Sequence, residues 1–313
     1  MAPLKINPIE TQLSSGNEAV AYFTRRDLLE EKVEPIDFIW QLPEVQKLFR
    51  KQQPYGSRRH TDKETISYPR HYYALVETWK SYHVLVEQYE VTKRHEAARR
   101  AAEFLLSCQS EQGDIRGMLA NQYATYYTGA MLALLIKAGY ADDPRVEKGL
   151  KWLLSVRQDD GGWTIPVLTH SFDKHTFYDL TSKYAEPVEP DRSKPFSHNW
   201  TDMALRAFAA HPKYRQQQRS PQSRRPAQNT LLPTRHLLCL PRRRLLVRFL
   251  FWWPNLVTAL DTLSLMGYSK EDPDIQKALN WLAEKQAPDD LWKLSYAKKD
   301  VPVGEKKKKD NSG

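Results

Sequence analysis

One segment of the chain, Tyr126–Trp163, has the pattern of a helical hairpin. Its first half, Tyr127–Ala138, is apolar almost all round, which predicts a helix that is buried on every side. Gly139 predicts the end of that helix, and Asp143 followed by Pro144 predicts the N-cap and the first residue of the next one. The second helix is amphipathic, because its apolar positions follow the helical period and its charged residues lie opposite them.

The same unit returns at Trp253–Trp292, where Trp281 lies 129 positions after Trp152. The loop that follows each outer helix also recurs. Its four versions are Gln52-x3-Gly56, Gln109-x3-Gly113, Arg157-x3-Gly161-x-Trp163 and Gln286-x3-Asp290-x-Trp292. An internal period of about fifty residues is typical of an array of helical hairpins.

A hairpin of this kind cannot bury its own first helix, so it needs neighbours on both sides. A ring of such hairpins places the apolar helices inside and the amphipathic helices outside. The repeat therefore predicts an all-α fold, an α/α toroid of about five to six hairpins with one outer helix disrupted.

The loops and the helices between them also resemble a known repeat. The Q-x3-G-x-W-like loops alternate with helices of the form D-P-x-[VI]-x-K-x-L-x-W-L. This combination resembles the repeat of terpenoid cyclases and protein prenyltransferase β-subunits, the prenyltransferase and squalene oxidase repeat. The resemblance covers roughly Val45–Trp163 and Trp253–Trp292. It implies the toroid fold, whereas the motifs lie in outer loops and do not name a reaction.

Composition and the extent of the repeat predict three parts of the chain. Residues 1–44 form an N-terminal extension with a short helix, residues 45–297 the toroid domain, and residues 298–313 a Lys-rich tail. The two cysteines, Cys108 and Cys239, fit neither a disulfide framework nor a metal site. Because no signal-peptide pattern opens the chain, we expect a cytoplasmic location, and nothing in the sequence indicates a cofactor.

The positive charge of the chain is concentrated in one segment. The formal net charge is +9, but Pro212–Phe249 contains one Lys and nine Arg without any Asp or Glu, so the rest sums to −1. A nucleic-acid-binding protein would spread basic and aromatic residues along a groove. We therefore expect no nucleic-acid partner.

The same segment interrupts the repeat where an outer helix should follow. Arg215–Arg248 contains four prolines and no acidic residue, and it has no helical period. One hypothesis is a shifted reading frame between two compensating errors, which translation of the coding DNA in the other frames would test. The rival interpretation is a basic, apolar segment, Leu231–Trp253, that makes a peripheral contact with an anionic membrane.

Each predicted inner helix opens with aromatic residues, which in a toroid should converge on one mouth of a central cavity. Such rings bind apolar chains and carbocations, as the resembled family does with isoprenoids; the alternative is that they only fill the barrel end. The connection Thr164–Pro195 is predicted to fold over that mouth as a lid. The candidate substrate-binding residues are Tyr73, Tyr123, Tyr126, Tyr127, Asn199, Trp200, Trp253 and Asn255.

The candidate catalytic residues are His198 and Asp202. They are four positions apart, so they can meet on one helix turn and transfer a proton. Helix structure alone also explains this stretch, since Asn199 fits an N-cap and Asp202 fits the third helical position, where the helix dipole favours a carboxylate.

The signatures of the reactions of the resembled family are missing. The nearest string to the Asp-x-Asp-Asp acid of terpenoid cyclases is the D-P-D at positions 272–274, which starts an outer helix. Neither cysteine lies beside the start of an inner helix, so the zinc site of prenyltransferases is not carried over. His170, Asp173 and His175 have suitable chemistry for zinc but lie in a proline-rich loop, so we predict no metal site.

The sequence therefore predicts an isoprenoid-handling or isoprenoid-binding protein, similar in fold to prenyltransferases and terpenoid cyclases, with the reaction unassigned. The expected partner is an apolar small molecule. Two other functions stay open. One is a carbohydrate-active α/α-barrel enzyme, which would use two carboxylates across an aromatic cavity, and the other is a non-catalytic interaction scaffold.

Overall fold

The structure is a computed structural model that describes residues 7–58, 69–219, 254–288 and 292. Throughout these residues the regular secondary structure is helical, and extended backbone pairs only in isolated bridges such as that of Gln52 with Arg58. The predicted all-α fold is confirmed. Trp253 and most of the segment Arg215–Arg248 lie outside the described residues.

The N-terminal part of the chain forms four short helices, of which the second to fourth contribute residues to the main core. They are α1, Ile9–Leu13; α2, Glu18–Phe23, which continues as a π-helical turn over Thr24–Leu28; α3, Asp37–Trp40; and α4, Pro43–Arg50. Tyr22, Ile39 and Trp40 are buried in the same hydrophobic core as the later helices. Residues before position 45 are thus packed against the repeat, and the boundary at position 44 stays a prediction.

The rest of the described chain alternates inner and outer helices. The inner helices are α5, Tyr72–Tyr89; α7, Thr125–Leu135; α10, His198–Ala210; and α12, Leu256–Leu265. The outer helices are α6, Glu96–Ser107; α8, Pro144–Ser155; α11, Pro212–Arg219; and α13, Pro273–Glu284. The connection between α8 and α10 contains a 3-10 turn, Pro166–Thr169, and helix α9, Lys174–Ser182.

The inner helices pack side by side in chain order, with the outer helices behind them. Helix α7 contacts α5 on one side, α10 on the other and α8 behind it, and α10 in turn contacts α12. Every residue of α7 except Tyr127 is buried, as the apolar pattern of this helix predicted. This two-layered arrangement confirms the predicted α/α toroid architecture.

Helices α7 and α10 approach closely because a glycine stands at their contact. A Cβ atom added at Gly129 would lie 2.5 Å from the Cα atom of Ala204 and 2.8 Å from the carbonyl oxygen of Met203. Ala204 and Ala207 of α10 are completely buried. Small side chains therefore set the distance between the two central helices.

The loop after each outer helix is held by the side chain that opens its motif. Gln109 donates from Nε2 to the carbonyl oxygens of Gly113 and of Arg145 in α8, both at 2.8 Å. Gly113 has φ +112°, a backbone conformation that strains any other residue. Gln52 makes the same pair of bonds to its own loop and to α6, and Arg157 takes the glutamine's place in the third loop.

The same loops are tied to the inner layer through threonine hydroxyls. The backbone N–H two positions after each loop glycine donates to a threonine of the next inner helix. The pairs are Arg58 with Thr78 at 2.8 Å, Ile115 with Thr128 at 3.1 Å and Trp163 with Thr201 at 2.8 Å. These bonds fix the height of each inner helix relative to the loop before it.

The two hairpins with complete motifs share the contact of their last tryptophan. The indole Nε1 of Trp163 donates to the carbonyl oxygen of Leu153, and that of Trp292 donates to Leu282, both at 2.7 Å. Trp163 is completely buried. Both tryptophans therefore stabilise the end of an outer helix.

Each of the four outer helices that follow an inner helix begins beside a side chain that accepts a hydrogen bond from a backbone N–H of the first turn. Asp143 and Asp272 do so at α8 and α13, as the sequence predicted. At α6 and α11 a histidine replaces the aspartate: Nδ1 of His95 accepts from the amide of residue 97, and Nδ1 of His211 from that of residue 213, both at 3.2 Å. A ring nitrogen accepts a hydrogen bond only while it carries no proton, so the bond at the start of α6 requires an unprotonated Nδ1 in His95.

Helix α11 lies where the outer helix of the third hairpin belongs. The prolines and the missing acidic residues of Arg215–Arg248 predicted that no outer helix follows α10, and over Pro212–Arg219 this prediction is wrong. The reason is local, because His211–Pro212 supplies the same start signal as Asp143–Pro144, and proline is tolerated at the first helical position. The remainder of the segment lies outside the described residues.

Replacement of Gly129 by alanine should destabilise the fold although alanine is the better helix former. The added methyl group meets the backbone of α10, so we expect a loss of about 1–3 kcal/mol in the free energy of unfolding. Gly149→Ala is the comparison variant: its methyl group would lie 2.8 Å from a terminal carbon of the Leu132 side chain and 3.2 Å from the carbonyl oxygen of Gly113, whereas the atoms nearest to a methyl group at Gly129 are all backbone, so we expect the smaller loss at Gly149. Urea unfolding of both variants tests this, and an equal loss in the two would contradict it.

The stability of the protein should fall below neutral pH in part through His95. Burial, assisted by nearby arginines, lowers the pKa of His95. The unfolded chain therefore binds a proton below a pH of about 6.5 while the folded protein does not, so acidification favours unfolding. His95→Asn, which keeps a capping side chain without titrating, should lose less stability between neutral and mildly acidic pH than wild type. The exposed His175, replaced in the same way, serves as the control; an unchanged pH profile in His95→Asn would rule the idea out.

Candidate functional site

A continuous series of aromatic rings, here called the ring run, lies along three neighbouring inner helices. Trp200 of α10 is 4.4 Å from Tyr126 of α7 between ring centroids, Tyr126 is 4.2 Å from Tyr127, and Tyr127 is 5.3 Å from Trp79 of α5. Tilted and edge-to-face pairs at such distances are favourable. Tyr127 and Trp200 are half-buried, whereas Tyr126 and Trp79 are buried, so the accessible surface of the ring run belongs to the first two rings.

The two tyrosines of the ring run are neutral at physiological pH. Burial raises the pKa of Tyr127 to about 12, and burial together with the neighbouring Tyr127 raises the pKa of Tyr126 as well. Their π faces therefore present an apolar surface that still attracts positive charge.

The other predicted aromatic residues lie beside the ring run or apart from it. Tyr73 makes an edge-to-face contact with Tyr72 at 5.0 Å, at the start of α5. Tyr123 lies between layers instead, with its ring 5.6 Å from that of Trp152 and its hydroxyl donating to Glu189 Oε1 at 2.8 Å. The sequence placed Tyr123 with the others because it precedes α7, but it packs towards the outer helix α8.

Residues 164–196, here called the cover segment, pack over the ring run. A separate hydrophobic cluster joins them to the first turns of α7 and α10. It contains Ala124, Tyr126, Ala130, Ile165, Val167 and Met203, with Phe172, Phe177, Leu180, Val188 and Trp200 partly buried against it. The sequence predicted a proline-rich loop around His170, Asp173 and His175, whereas the connection contains a 3-10 turn and α9, because Asp173 caps α9 by accepting from the backbone amides of His175 and Thr176.

The second half of the cover segment is fixed by side-chain amides. Gln122 Nε2 donates to the carbonyl oxygen of Glu186 at 3.1 Å, and Gln122 Oε1 accepts from the backbone amide of Val188 at 2.9 Å. Gln158 donates to the carbonyl oxygens of Asp191 and Lys194 at 2.9 and 2.8 Å. The segment is therefore anchored around positions 185–194, and α9 lies between that anchor and the 3-10 turn.

Ionisable side chains of the inner helices, and of the π-helical turn Ile136–Tyr140 that continues α7, lie near one another. This interior polar group consists of His83, Glu87, Lys137, Asp202, Arg206 and Asp261. Within it, Lys137 Nζ of that turn lies 2.8 Å from Glu87 Oε2 of α5, so an ion pair links the end of α7 to α5. Both side chains are about one third exposed, which places the pair at the accessible surface of the interior.

A second ion pair of the group is buried and links α10 to α12. Arg206 Nη2 donates to Asp202 Oδ2 at 2.6 Å and to Thr258 Oγ1 at 2.8 Å. Asp202 is completely buried, and its Oδ1 has no hydrogen-bond partner among the described residues. A carboxylate in this position depends on its guanidinium partner, because an unpaired buried charge is costly.

The two remaining members of the group titrate abnormally because of their surroundings. Surrounding protein raises the pKa of Asp261, and the carboxylates of Glu87 and Asp202 add to that effect. Burial lowers the pKa of His83, so its imidazole is neutral at pH 7. Asp261 is exposed and forms no ion pair with any described residue. It is the unmatched charge of the group.

The ring run leads directly to the interior polar group. The rings of Trp79 and His83 are 6.2 Å apart, one turn along α5. The aromatic rings therefore adjoin the polar group at His83.

The predicted catalytic and amide residues occupy other positions than expected. Helix α10 begins at His198 with Ser197 at the N-cap position, so neither Asn199 as N-cap nor Asp202 at the third helical position is correct. The carboxylate of Asp202 bonds to Arg206, as described. Asn255 caps α12 and accepts from the amides of Val257 and Thr258. The role of all four in a site therefore remains a prediction.

The three residues considered for zinc make other contacts. Asp173 is the N-cap of α9, His170 Nε2 bonds to the carbonyl oxygen of Glu189 at 2.8 Å, and His175 is exposed on α9. Within the described ranges no group of histidine, cysteine and acidic side chains is arranged to hold a metal ion.

The interior polar group was missed because each member looks unremarkable in its own helix. The signal that finds part of it is helical spacing, since Tyr73, Val76, His83 and Glu87 lie on one stripe of α5. A charged residue at the end of an otherwise apolar stripe of a buried helix marks a face that meets polar partners. The neighbours of that face could not be known before the packing of α5, α7, α10 and α12.

Comparison with known proteins places most of this region in one family's pattern. The model of the squalene-hopene cyclase C-terminal domain matches residues 82–208, which run from α5 into α10. No protein of curated function matches the sequence significantly. The predicted similarity to terpenoid cyclases is thus confirmed over that stretch.

Solved structures of a type II terpene cyclase, MstE from Scytonema, also align with the chain. The apo form is 13% identical with a TM-score of 0.30, and the alignment covers 83% of this chain and 82% of that one. A variant in complex with geranylgeranyl dihydroxybenzoate, its substrate, is 15% identical with a TM-score of 0.33, and the alignment covers 82% of this chain and 79% of that one.

Among the described residues, no helix has the length and hydropathy needed to cross a membrane.

Removal of the guanidinium of Arg206 should strongly destabilise the protein. Arg206→Met leaves the carboxylate of Asp202 buried and unpaired, for which a loss of about 3–5 kcal/mol in the free energy of unfolding is expected. The double variant with Asp202→Asn should recover part of that loss. Arg145→Met is the control, since its partners Glu103 and Asp143 are more exposed and a surface pair contributes about 0–1 kcal/mol. Equal losses for Arg206→Met and Arg145→Met would show that the interior pair is not special.

Proposed function

We propose that the protein binds an isoprenoid chain along the ring run, beneath the cover segment and with one end at the interior polar group. The observation that carries this proposal is the continuity of the rings of Trp200, Tyr126, Tyr127 and Trp79 across three successive inner helices. The match to a squalene-hopene cyclase domain over residues 82–208 supports the same ligand class.

The ring run suits a long apolar ligand in physical terms. Aromatic side chains present large apolar faces and have few rotatable bonds, so little conformational entropy is lost when a ligand packs on them. Each buried Å² of apolar surface contributes about 25 cal/mol. Several isoprene units must therefore be buried together to give micromolar affinity.

The cover segment supplies the second wall of the proposed site. Its buried side chains, among them Ile165 and Val167, belong to the same apolar cluster as Tyr126. A chain held between the two walls is shielded from water on both sides. Access would then require movement of α9, which lies between the two anchored parts of the segment, rather than of the segment as a whole.

His198 and Asp202 stay proposed site residues with different roles. His198 opens α10, two positions before Trp200, and lies 5.1 Å from Phe196 between ring centroids. Asp202 acts through Arg206, which it holds against Thr258 of α12. It is thus a positioning residue in this proposal, and the reaction, if there is one, is left unassigned.

The carboxylates of the interior polar group give little support to the alternative function, a carbohydrate-active enzyme. A glycosidase needs two carboxylates that are available to the sugar. Glu87 is paired with Lys137 and Asp202 with Arg206, which leaves Asp261 as the one interior carboxylate of the group without an ion pair to a described residue. An apolar ligand fits the ring run better than a sugar in this arrangement.

Equilibrium dialysis with radiolabelled geranylgeraniol tests the proposal. Wild type should bind the alcohol saturably, and the double variant Trp200→Ala with Tyr127→Ala should bind it about tenfold or more weakly, because two accessible faces of the wall are removed.

The control is Trp281→Ala, which removes an indole from the outer helix α13, away from the ring run. It should bind as wild type does. Equal affinity in wild type and the double variant, or no saturable binding in wild type, would refute the proposal.

A further inference from the structure

We propose that a cavity on the outer side of α6 is a second binding site, which takes a small aromatic carboxylate. The cavity has a volume of about 440 Å³ and is open to solvent. Pockets for small molecules usually measure about 300–1,000 Å³. The residues that line it and carry the argument are Tyr55, Lys93, Arg99, Arg100, Glu103 and Tyr140. No member of the ring run or of the interior polar group lines the cavity, so the inference does not rest on the proposed function.

The walls of the cavity are fixed by backbone contacts. A Cβ atom added at Gly56 would lie 2.0 Å from the carbonyl oxygen of Arg100, so the loop that carries Tyr55 lies directly against α6. In the connection before α6, the amide of Lys93 donates to the carbonyl oxygen of Ala138 at 2.8 Å. This bond ties the connection to the π-helical turn that continues α7. The cavity is thus formed by parts of the chain that already contact one another.

Two tyrosines supply the apolar part of the cavity. Tyr55 is 68% exposed, and its ring centroid lies 6.4 Å from that of Phe104. Tyr140 is half-buried, and the ammonium group of Lys93 lies 5.7 Å from the centroid of its ring. Flat apolar groups pack favourably on aromatic faces. An aromatic ring is therefore the ligand body that suits these walls.

Arg99 supplies the group that recognises the polar end of the ligand. Its Nη1 donates to the backbone carbonyl oxygens of Lys93 and Arg94 at 2.9 and 3.2 Å, which holds the guanidinium in place. The other edge of the guanidinium, Nε with Nη2, has no hydrogen-bond partner among the described residues. Such an edge matches the two oxygens of a carboxylate and can donate two parallel hydrogen bonds to them.

The charges around the cavity favour a ligand with one negative charge. Counted with the partners of the lining residues, the cations are Lys93, Arg99, Arg100 and Arg145. The carboxylates are Glu96, Glu103 and Asp143. Arg100 pairs with Glu96, and Arg145 pairs with the other two carboxylates, whereas Lys93 and Arg99 form no ion pair with a described residue. One positive charge remains, which a carboxylate balances and a phosphate dianion exceeds.

The next copy of the repeat shows that the architecture does not require these residue types. In both copies the loop glycine lies against a carbonyl oxygen of the following outer helix, that of Arg100 in α6 and that of Lys148 in α8. In this alignment Gln112 stands in the place of Tyr55, and Glu147 in the place of Arg99. The second copy thus has neither the ring nor the guanidinium, although its loop and helix are packed in the same way.

The experiment compares four probes by titration calorimetry at pH 7. They are 2-naphthoate, the neutral 2-naphthamide, 2-naphthyl phosphate and acetate. The carboxylate with its ring should bind saturably and about tenfold or more tightly than either the amide, which lacks the charge, or acetate, which lacks the ring. The phosphate should bind more weakly than 2-naphthoate because its second negative charge is not balanced.

Two pairs of variants locate the binding. Arg99→Lys keeps the charge but removes the fork of donors, so it should weaken 2-naphthoate by about tenfold and leave 2-naphthamide unchanged. Arg25→Lys, at an exposed arginine outside the cavity, is its control. Tyr55→Ala should weaken both naphthyl ligands, whereas Tyr178→Ala, which removes a ring that is 63% exposed on α9, should weaken neither. Because Tyr55 is so exposed, its variant keeps the test valid if Arg99→Lys is unstable.

Competition separates the cavity from the ring run. Excess geranylgeraniol should leave the affinity for 2-naphthoate unchanged, and displacement would place the carboxylate on the ring run and overturn the inference. Equal binding of 2-naphthoate and 2-naphthamide, tightest binding of the phosphate, or wild-type affinity in Tyr55→Ala overturns it as well. None of these results bears on isoprenoid binding, which is measured with a different ligand and different variants.

Discussion

The architecture depends on a hydrogen bond from a loop amide to a threonine hydroxyl. Three loop amides each donate a hydrogen bond to a threonine hydroxyl of the following inner helix. They belong to Arg58, Ile115 and Trp163, and each lies two positions after the loop glycine. A buried amide without a partner would cost about 1–3 kcal/mol, so the loop can close only where the next inner helix offers its hydroxyl. Because the loop also bonds to the next outer helix, one short motif positions both layers of the arc, and with them the aromatic and charged faces of the interior.

The fold was largely predictable because its signals are local. Asp143 with Pro144, and the spacing from Trp152 to Trp163, are readable in a single repeat, and the structure confirms the helix starts and the hairpin geometry that they predict. The helix α11 was not predicted, because the composition of the long segment that follows it outweighed a start signal of only two residues, His211 and Pro212. The connection before α10 was interpreted as a proline-rich loop for the same reason, although Asp173 marks the start of α9.

The site was less predictable because its contacts join helices that are distant in the sequence. The aromatic starts of the inner helices could be read directly, and Tyr126, Tyr127 and Trp200 do meet. The part of Trp79 and the interior polar group could not be predicted from the sequence. Asp261, for example, has Glu87 and Lys137 as neighbours only because α5, α7 and α12 pack together. Asn255 shows the opposite error, because a residue chosen for its place near the rings serves the backbone of its own helix as a cap.

The ends of the cover segment meet each other. The amide of Ser197 donates to the carbonyl oxygen of Trp163 at 3.0 Å, and Thr201 bonds to the same tryptophan. The segment thus leaves and re-enters the array at one point, so its length is free of the geometry of the repeat. An exchange of residues 164–196 for a segment of different length would change what lies over the rings, while the junction from loop to inner helix would stay as it is.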